Sequence, residues 1–504
     1  MSAKETYQNL VQELKTASLL DSCASVLGWD EQVYMPRGGS NFRSEQLSLL
    51  SVLTHEKFTS PKIGEMLKEL EQSEYMNNPE SVEAVNIRET RNAYDKATKL
   101  PSDLVEEFSK TTTLAQNAWI TCRKDNDFKS FLPWLEKVVD LNKRRAEAYG
   151  YEDDIYDPLL DDYEPGAKTS EVSEVFANLR DDLVVLLQKI QDAPNKPKVS
   201  IVERKYDVEL QRIFGESVAQ AIGYNFNEGR LDITHHPFCS GMGPGDTRIT
   251  TRYNPNRLND ALFGTMHETG HALYEMGLDK TNHYGTPMGE SSSSGIHESQ
   301  SRMWENQVGR SKAFWEYFFP QAKRIFKETL GDVTLDEFYG AINYVTPSYI
   351  RVEADEATYN LHIMLRFEIE QGLMHGDIKP ADVADVWREK FKQFFGIEVD
   401  TDSNGCLQDI HWAGGAFGYF PTYALGNLYA AQFFNTAKQE LGNLDLQFAS
   451  GNFLNLREWL RTKIHLQGQK YPATDLVKVV TGEPLSHKPL IEYMTKKYGE
   501  IYGF

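Results

Sequence analysis

Two histidines and a glutamate near the middle of the chain have the types and the spacing of a metal-dependent hydrolase. Residues 267–271 read His-Glu-Thr-Gly-His. Four residues are close to one helical turn, so His267 and His271 would project from one helix face. That face can bind one zinc ion at about 2.0–2.1 Å. Glu268 points about 100° away from His267, where it can take a proton from a water activated by the metal. The motif therefore predicts a metallopeptidase with Glu268 as its general base.

A zinc site of this kind needs a third protein ligand and keeps its fourth position open. A chance match on an amphipathic helix is the alternative, so the third ligand matters. Glu298 follows His271 by 27 residues and begins a second predicted helical stretch, which would pack antiparallel to the first. Glu305 lies two turns further along the same face and is the competing choice. His297 is explained equally well by a structural hydrogen bond and by a catalytic role.

An arginine is the side chain best suited to recognise a free C-terminal carboxylate, because its planar fork pairs bidentately with carboxylates. Arg351 lies in an apolar, helix-like segment, where a guanidinium group needs a partner. We expect it to bind the substrate carboxylate; the alternative is an ion pair with Asp355, four residues on. Arg248 is either a second anchor or the partner of Asp246.

The oxyanion that develops during peptide hydrolysis needs a hydrogen-bond donor besides the metal. His411, Tyr419 and Tyr423 follow the predicted catalytic helix at a distance typical of such donors in related folds. We favour His411 and Tyr423. The alternative for each tyrosine is a buried aromatic helix face.

Most of the chain has the three- and four-residue apolar periodicity of helices. The clearest predicted helices are Tyr7–Leu27, Ser102–Cys122, Phe131–Tyr149, Thr169–Ile190, Ala354–Leu373 and Ala381–Phe395. The stretch from Arg230 to Tyr253 differs: residues 231–233 and 247–251 alternate like strands around a glycine-rich turn. We expect a two-stranded ribbon there, since edge strands in peptidases often hold an extended substrate.

Two loop-like segments interrupt the helical pattern. Residues 193–198, with two prolines, divide a helical N-terminal part (1–195) from the part that carries the metal motif (196–504). No change of composition accompanies them, so we interpret 1–504 as a single catalytic unit with a loop at this point. The serine-rich run 291–295 is expected to be a flexible loop near the site.

The overall composition excludes several other classes of protein. The formal net charge of -21 disfavours nucleic acid and anionic membranes as partners. The four cysteines form no CxxC pair, which fits a reducing compartment better than a disulfide framework. The N-terminus lacks the apolar core of a signal peptide, and no apolar run is long enough to span a membrane. We therefore expect a cytoplasmic protein.

Further short motifs accompany the zinc motif along the chain. They are Trp29-Asp30 with Tyr34-Met35-Pro36, His236-Pro237-Phe238, Asp246-Thr247-Arg248-Ile249-Thr250, the segment from His297 to Ser301, Ile350-Arg351 with Ala354-Asp355, and Gly405 with Gln408-Asp409 and His411-Trp412. With these motifs the chain resembles the carboxypeptidase Taq family of HExxH metallocarboxypeptidases over essentially its whole length.

The resemblance implies a mainly α, two-lobed helical zinc-peptidase fold with a deep active-site groove, similar to angiotensin-converting enzyme and neurolysin. It also implies a homodimer, one divalent ion per subunit, zinc or cobalt, and broad removal of C-terminal residues from peptides. His267, His271 and Glu298 match the metal ligands of the family, and Glu268 matches its general base. His236 joins the arginines as a candidate substrate-binding residue through its motif.

One position departs from some related zinc peptidases, which have an acidic residue four positions after the glutamate ligand. Here that position is Arg302. The partner that orients His271 is therefore not identified from the sequence.

Three other functions compete with a carboxypeptidase. Helical zinc aminopeptidases usually have a GxMEN-type segment upstream of the metal motif, and here that region holds His236-Pro237-Phe238 instead. A zinc endo-oligopeptidase would lack an anchor for the free carboxylate. A non-catalytic helical peptide-binding protein would have no need of the base Glu268.

Overall fold

The computed structural model describes residues 2–504, and most of them are helical. The helices are α1 (Ala3–Val33), α2 (Ser40–Phe58), α3 (Pro61–Leu70), α4 (Val82–Lys99), α5 (Ser102–Asp125), α6 (Phe128–Tyr149), α7 (Asp157–Leu160), α8 (Thr169–Asp192), α9 (Val208–Ile222), α10 (Leu258–Gly277), α11 (Lys280–His283), α12 (Ser294–Arg302), α13 (Lys312–Ile325), α14 (Lys327–Leu330), α15 (Leu335–Ile342), α16 (Tyr359–His375), α17 (Val383–Phe395), α18 (Pro421–Leu441), α19 (Leu444–Ala449), α20 (Leu454–Lys463), α21 (Ala473–Thr481) and α22 (Lys488–Tyr502). The strands are β1 (Leu231–Ile233), β2 (Cys239–Gly243) and β3 (Asp246–Thr251).

The predicted helices are present, but one begins later than its apolar pattern suggests. The stretch from Ala354 to Leu373 becomes helical only at Tyr359, the first residue of α16. The Asp355 carboxylate accepts the backbone N–H groups of Ala357 and Thr358 at 2.9 and 3.0 Å, which holds a turn ahead of the helix. Arg351 therefore lies in a separate short 3-10 turn, and the helix-like setting predicted for it is wrong.

The predicted two-stranded ribbon is a three-stranded sheet in the order β1-β3-β2. The two predicted strands do pair, but they are parallel, with Leu231 opposite Ile249. The strand missed from sequence is β2, which runs antiparallel to β3 with Cys239 opposite Ile249. Its sequence, Cys-Ser-Gly-Met-Gly, lacks the β-branched and aromatic residues that mark a strand, so backbone pairing and not side-chain type defines it.

The chain forms two compact units, each built from separate stretches of sequence. The first comprises the chain up to Thr98, Lys198–Ile342 and Phe433–Glu483. One of its cores lies where α1, α3 and α4 meet, and another lies between α9, the sheet and α10. A boundary between units falls at residues 197 and 198, inside the proline-containing loop.

The second unit comprises Lys99–Pro197, Asn343–Gln432 and Pro484–Phe504. Its centre is α16, which is buried along nearly its whole length. Phe367 of α16 packs edge-on against Tyr156 and Phe176, with ring centroids 5.7 and 5.3 Å apart. Within residues 2–504, the structure contains no helix that is both long enough and apolar enough to cross a membrane.

Candidate functional site

Helix α10 presents His267 and His271 on one face. Another face carries apolar residues, among them Ala272, which packs with Ile249 of β3 and Ala219 of α9. The sheet and α9 thus fix the rotation of α10 about its own axis, and the motif spacing turns both imidazoles to the same side.

A glycine lets a second helix approach α10 closely. A Cβ atom on Gly270 would lie only 2.5 Å from Cα of Ser301 and 2.7 Å from the carbonyl oxygen of Gln300. Both of these residues belong to α12. Any larger residue at 270 would push the two helices apart, so Gly270 sets how close Glu298 of α12 comes to the histidines.

The serine-rich run ahead of α12 is ordered by capping, which corrects the flexible loop expected from its composition. The Ser293 side chain accepts the backbone N–H of Ile296 at 2.9 Å and begins the helix. Ser292 and Ser293 are both buried. The run is thus the N-terminal cap that positions Glu298.

The structure brings His267, His271 and Glu298 together. Their donor atoms all lie within 4.8 Å of one another. The Glu298 Oε2 atom is 3.4 Å from Nε2 of His271 and 3.7 Å from Nε2 of His267. Tetrahedral zinc with bonds of 2.0–2.1 Å separates its ligand atoms by about 3.3 Å. Two imidazole nitrogens and one carboxylate oxygen at these distances fit a divalent ion of that size.

Glu305, the competing glutamate, lies on the far side of His267. Its Oε2 atom is 3.0 Å from Nδ1 of His267, so it accepts the Nδ1 proton and leaves Nε2 unprotonated toward Glu298. Glu305 belongs to a π-helical segment, Met303–Val308, whose wider turn continues α12. Arg302 stands where some related zinc peptidases have an acidic residue. It donates to Oε1 of Glu298 at 2.8 Å and to Glu305 at 3.2 Å. Glu305 therefore orients a candidate ligand and is not part of the converging set.

A chain of hydrogen bonds orients His271 in the same way. Nδ1 of His271 is 2.6 Å from Nδ1 of His297, and Nε2 of His297 is 2.8 Å from Oε1 of Glu275. A carboxylate only accepts, so His297 donates from Nε2 and accepts at Nδ1, and His271 donates from Nδ1. The Nε2 atom of His271 is then free of hydrogen and faces Glu298. Lys280 in turn donates to Glu275.

Burial and the neighbouring carboxylates together set the charge states in this region. It lowers the pKa of His271 to about 4, which keeps that imidazole neutral, as a metal ligand must be. Burial opposes the charge of His267 as well, but Glu298 and Glu305 outweigh it and raise the pKa of His267. Burial also raises the pKa of Glu268 to about 7. Glu268 is outside the converging set, so its carboxyl group is available for proton transfer.

Arg351 lies in a buried cluster of charges in the second unit. Its Nε and Nη2 atoms donate to Oδ1 of Asp409 at 3.1 and 2.9 Å, and its Nη1 donates to the Tyr359 hydroxyl at 3.1 Å. The proposed alternative partner Asp355 instead accepts backbone N–H groups, so the i to i+4 ion pair is wrong. Arg366 also donates to Asp409, at 2.7 Å. Two guanidinium groups thus share one carboxylate, and the cluster has one positive charge in excess.

The three candidate oxyanion donors lie in this same cluster. The His411 ring stacks on Tyr419 with centroids 5.5 Å apart, and its Nδ1 is 3.8 Å from Asp409. The Tyr423 ring lies 5.1 Å from the Arg351 guanidinium carbon and 5.2 Å from the Tyr419 ring. All three rings are partly exposed. For Tyr419 and Tyr423 this differs from the buried aromatic helix face that was their alternative.

Arg248 and His236 lie at the sheet. Arg248, in β3, donates to both oxygens of Asp246 at 2.8 and 2.6 Å and lies over the Trp29 ring. The ion pair with Asp246 is the alternative to a role of Arg248 as a second anchor for the substrate carboxylate. His236 is exposed in the segment between β1 and β2.

Sequence reasoning missed the residues that support the candidate metal ligands and those that pair with Arg351 or share its partner. Glu275 follows His271 by four residues and so lies on the same face of α10, a signal that the spacing already contained. Arg366 and Asp409 have no such relation, since they are 43 residues apart. Only the structure identifies that pair.

Comparisons with known proteins show what this chain is similar to. The sequence model of the carboxypeptidase Taq (M32) metallopeptidase family matches residues 9–498. The chain is 45% identical to thermostable carboxypeptidase 1 of Thermus thermophilus over all of both chains. The crystal structure of the M32 carboxypeptidase from Deinococcus radiodurans R1 superposes with a TM-score of 0.96 at 38% identity, covering 99% of this chain and 100% of that one. A structure of the Pyrococcus furiosus carboxypeptidase superposes with a TM-score of 0.94 at 37% identity, covering 98% of this chain and 99% of that one.

Proposed function

This chain belongs to the carboxypeptidase Taq (M32) family of metallopeptidases and is a metal-dependent carboxypeptidase, and we propose that His267, His271 and Glu298 hold its divalent ion. The observation that carries the proposal is the convergence of their donor atoms at 3.4 and 3.7 Å. Glu305 and His297, each bonded to the outer nitrogen of one histidine, keep both inner nitrogens available for the ion.

Glu268 is the general base in this proposal. A bound divalent ion would supply an acidified water and a polarised carbonyl group at the scissile bond. Glu268 takes the proton of that water and transfers it to the leaving amine. Its place in the chain supports the role, because it follows His267 directly on α10 and is buried beside the candidate ligands without being one of them.

Arg351 binds the C-terminal carboxylate of the peptide. The excess positive charge of the Arg351, Arg366 and Asp409 cluster supports this role, since an additional carboxylate would balance it. His411 and Tyr423 are the proposed donors to the oxyanion, in preference to Tyr419. Arg248 and His236 are proposed as secondary substrate contacts. The Asp246 partner of Arg248 makes it the weaker candidate anchor.

The remaining features of the proposal come from the family, apart from the location, which comes from the composition of the chain. They are zinc as the bound ion, with cobalt as the alternative; broad specificity; a homodimer; a cytoplasmic location; and a two-lobed fold with a deep groove similar to angiotensin-converting enzyme and neurolysin. We also propose that residues 1–504 act as one catalytic unit, without assigning separate activities to 1–195 and 196–504.

A time course of peptide digestion followed by mass spectrometry tests the proposed function. We expect successive loss of C-terminal residues, inhibition by a chelator, and recovery when zinc is returned. The same peptide with an amidated C-terminus should be a poor substrate. Internal cleavage at comparable rates on both peptides would identify an endo-oligopeptidase, and loss from the N-terminus an aminopeptidase. No hydrolysis by the metal-loaded chain would leave a peptide-binding protein.

A further inference from the structure

A cavity of about 360 Å³ lies in the first unit, apart from the candidate metal ligands. Its walls come from α1, α2, α4, the glycine-rich strand β2 and the segment 280–290. A volume of this size is within the range of sites that bind small organic molecules.

A carboxylate without a partner faces this cavity. Glu290 is partly buried in the wall, and among residues 2–504 its side chain has no hydrogen bond or ion pair. Burial raises the pKa of Glu290 to about 7, although the nearby Lys280 acts to lower it. Asp21, also in the wall, adds a second negative charge. Burying an unpaired carboxylate costs free energy, and a bound cation would recover it.

The other charged groups of the wall are already paired. Lys280 donates to Glu275, which in turn accepts from His297, so its charge is balanced. Glu89 accepts from Arg88 at 2.6 Å. Asp21 therefore gives the cavity a negative charge, and Glu290 adds a second one in its ionised form.

The shape of the site favours an organic cation over a metal ion. Within residues 2–504, the only group of three or more His, Cys, Asp or Glu donors close enough to share an ion is that of the candidate metal centre. The cavity carboxylates do not form such a group. Leu14, Phe58 and Met242 give the walls apolar surface, which suits an alkyl chain ending in a charged group.

We propose that this cavity binds an alkylammonium or alkylguanidinium group, with Glu290 as its counter-ion. Such a group has two sources, a basic side chain of the peptide substrate and a free small amine. Strand β2 supports the first source, because Gly241 and Gly243 line the cavity and β2 is an edge strand that can pair with an extended peptide. Only that source rests on the proposed function.

Calorimetric titration of the metal-loaded full chain with n-pentylammonium chloride tests the site. We expect saturable binding that Glu290→Gln weakens about 10- to 150-fold, the range for losing one charge-assisted hydrogen bond. Glu89→Gln is the matched control, since Glu89 lines the same cavity but is paired with Arg88, and it should change binding little.

The neutral analogue 1-pentanol separates charge recognition from apolar filling. Absence of saturable pentylammonium binding overturns the proposal. Binding of 1-pentanol as tight as that of pentylammonium also overturns it, as does unchanged binding in Glu290→Gln. A thermal melt of each variant shows that it is folded. If Glu290→Gln does not fold, the 1-pentanol comparison decides instead.

Peptide kinetics then identify the source of the cation. Two peptides are compared that differ only in having lysine or norleucine upstream of the C-terminal residue. A preference for lysine in kcat/KM that Glu290→Gln abolishes assigns the cavity to the substrate. If Glu290→Gln keeps the preference for lysine but loses pentylammonium binding, the cavity binds a free amine. Hydrolysis of neither peptide by the unaltered chain would contradict the proposed function and leave the calorimetric result intact.

Discussion

The candidate metal centre and the arginine cluster each contain neighbouring buried charges, but the two sites are built in different ways. His267 and His271 are one helical turn apart on α10, and Glu298 lies on a second regular helix. Arg351 lies in a short 3-10 turn, and its partner Asp409 is 58 residues further along the chain in a non-helical segment. Periodicity therefore specifies the first site, whereas the second depends on tertiary contacts between irregular segments.

The largest effect is expected at the metal centre. Glu298→Ala should remove stoichiometric metal and lower activity by at least about 10³-fold, because water is no longer activated. Glu305→Ala should retain the metal with affinity reduced about 10- to 100-fold, as for other groups that orient a ligand. Metal analysis after dialysis, with kcat/KM on a blocked dipeptide, measures both. Full metal content in Glu298→Ala, together with its loss in Glu305→Ala, would show that the ligand is Glu305.

The second prediction separates the base from the ligands on the same helix. Glu268→Gln should keep the metal and the peptide affinity but lower kcat about 10²- to 10⁴-fold, because only proton transfer is lost. Metal content, inhibitor binding and kcat are measured on one preparation. Loss of metal from this variant would mean that Glu268 is a ligand, and that the helical spacing was misinterpreted.

The third prediction tests whether the arginine cluster recognises substrate. Arg351→Ala should lower kcat/KM about 10- to 150-fold on peptides with a free C-terminus, the equivalent of one charge-assisted pair. It should have little further effect on amidated peptides, which lack the charge. Arg351→Lys should restore activity only in part, since an ammonium group lacks the planar fork. Equal losses on both kinds of peptide would make Arg351 structural and Arg248 the next candidate anchor.

How far the sequence predicts each region follows from its geometry. The long helices and the joint direction of His267 and His271 follow from a repeat of about 3.6 residues, which is a local property. The strand β2 is set by pairing of its backbone with β3, which its glycines do not reveal. The pairing of Arg351 with Asp409 likewise depends on contacts distant in sequence, and a helical i to i+4 rule applied to Arg351 selects the wrong acid.

The smallest effect, and the finest test of the comparison, concerns His297. It accepts from His271 and donates to Glu275, so it supports a candidate ligand without binding the ion itself. His297→Ala should lower metal affinity about 10- to 100-fold while the bound metal still supports hydrolysis. Competition with a chelator of known affinity measures the first quantity, and kcat at saturating metal measures the second.

Glu275→Gln is the matched control for His297, because the amide oxygen of glutamine can still accept from Nε2 of His297. It should reduce metal affinity less than His297→Ala does, since the hydrogen bond is kept and only the charge is lost. Unchanged metal affinity in His297→Ala would mean that α10 alone fixes the orientation of His271. The geometry of the metal centre would then come from the helix itself and not from its supporting hydrogen bonds. That result would widen the contrast with the arginine cluster, which depends on tertiary contacts.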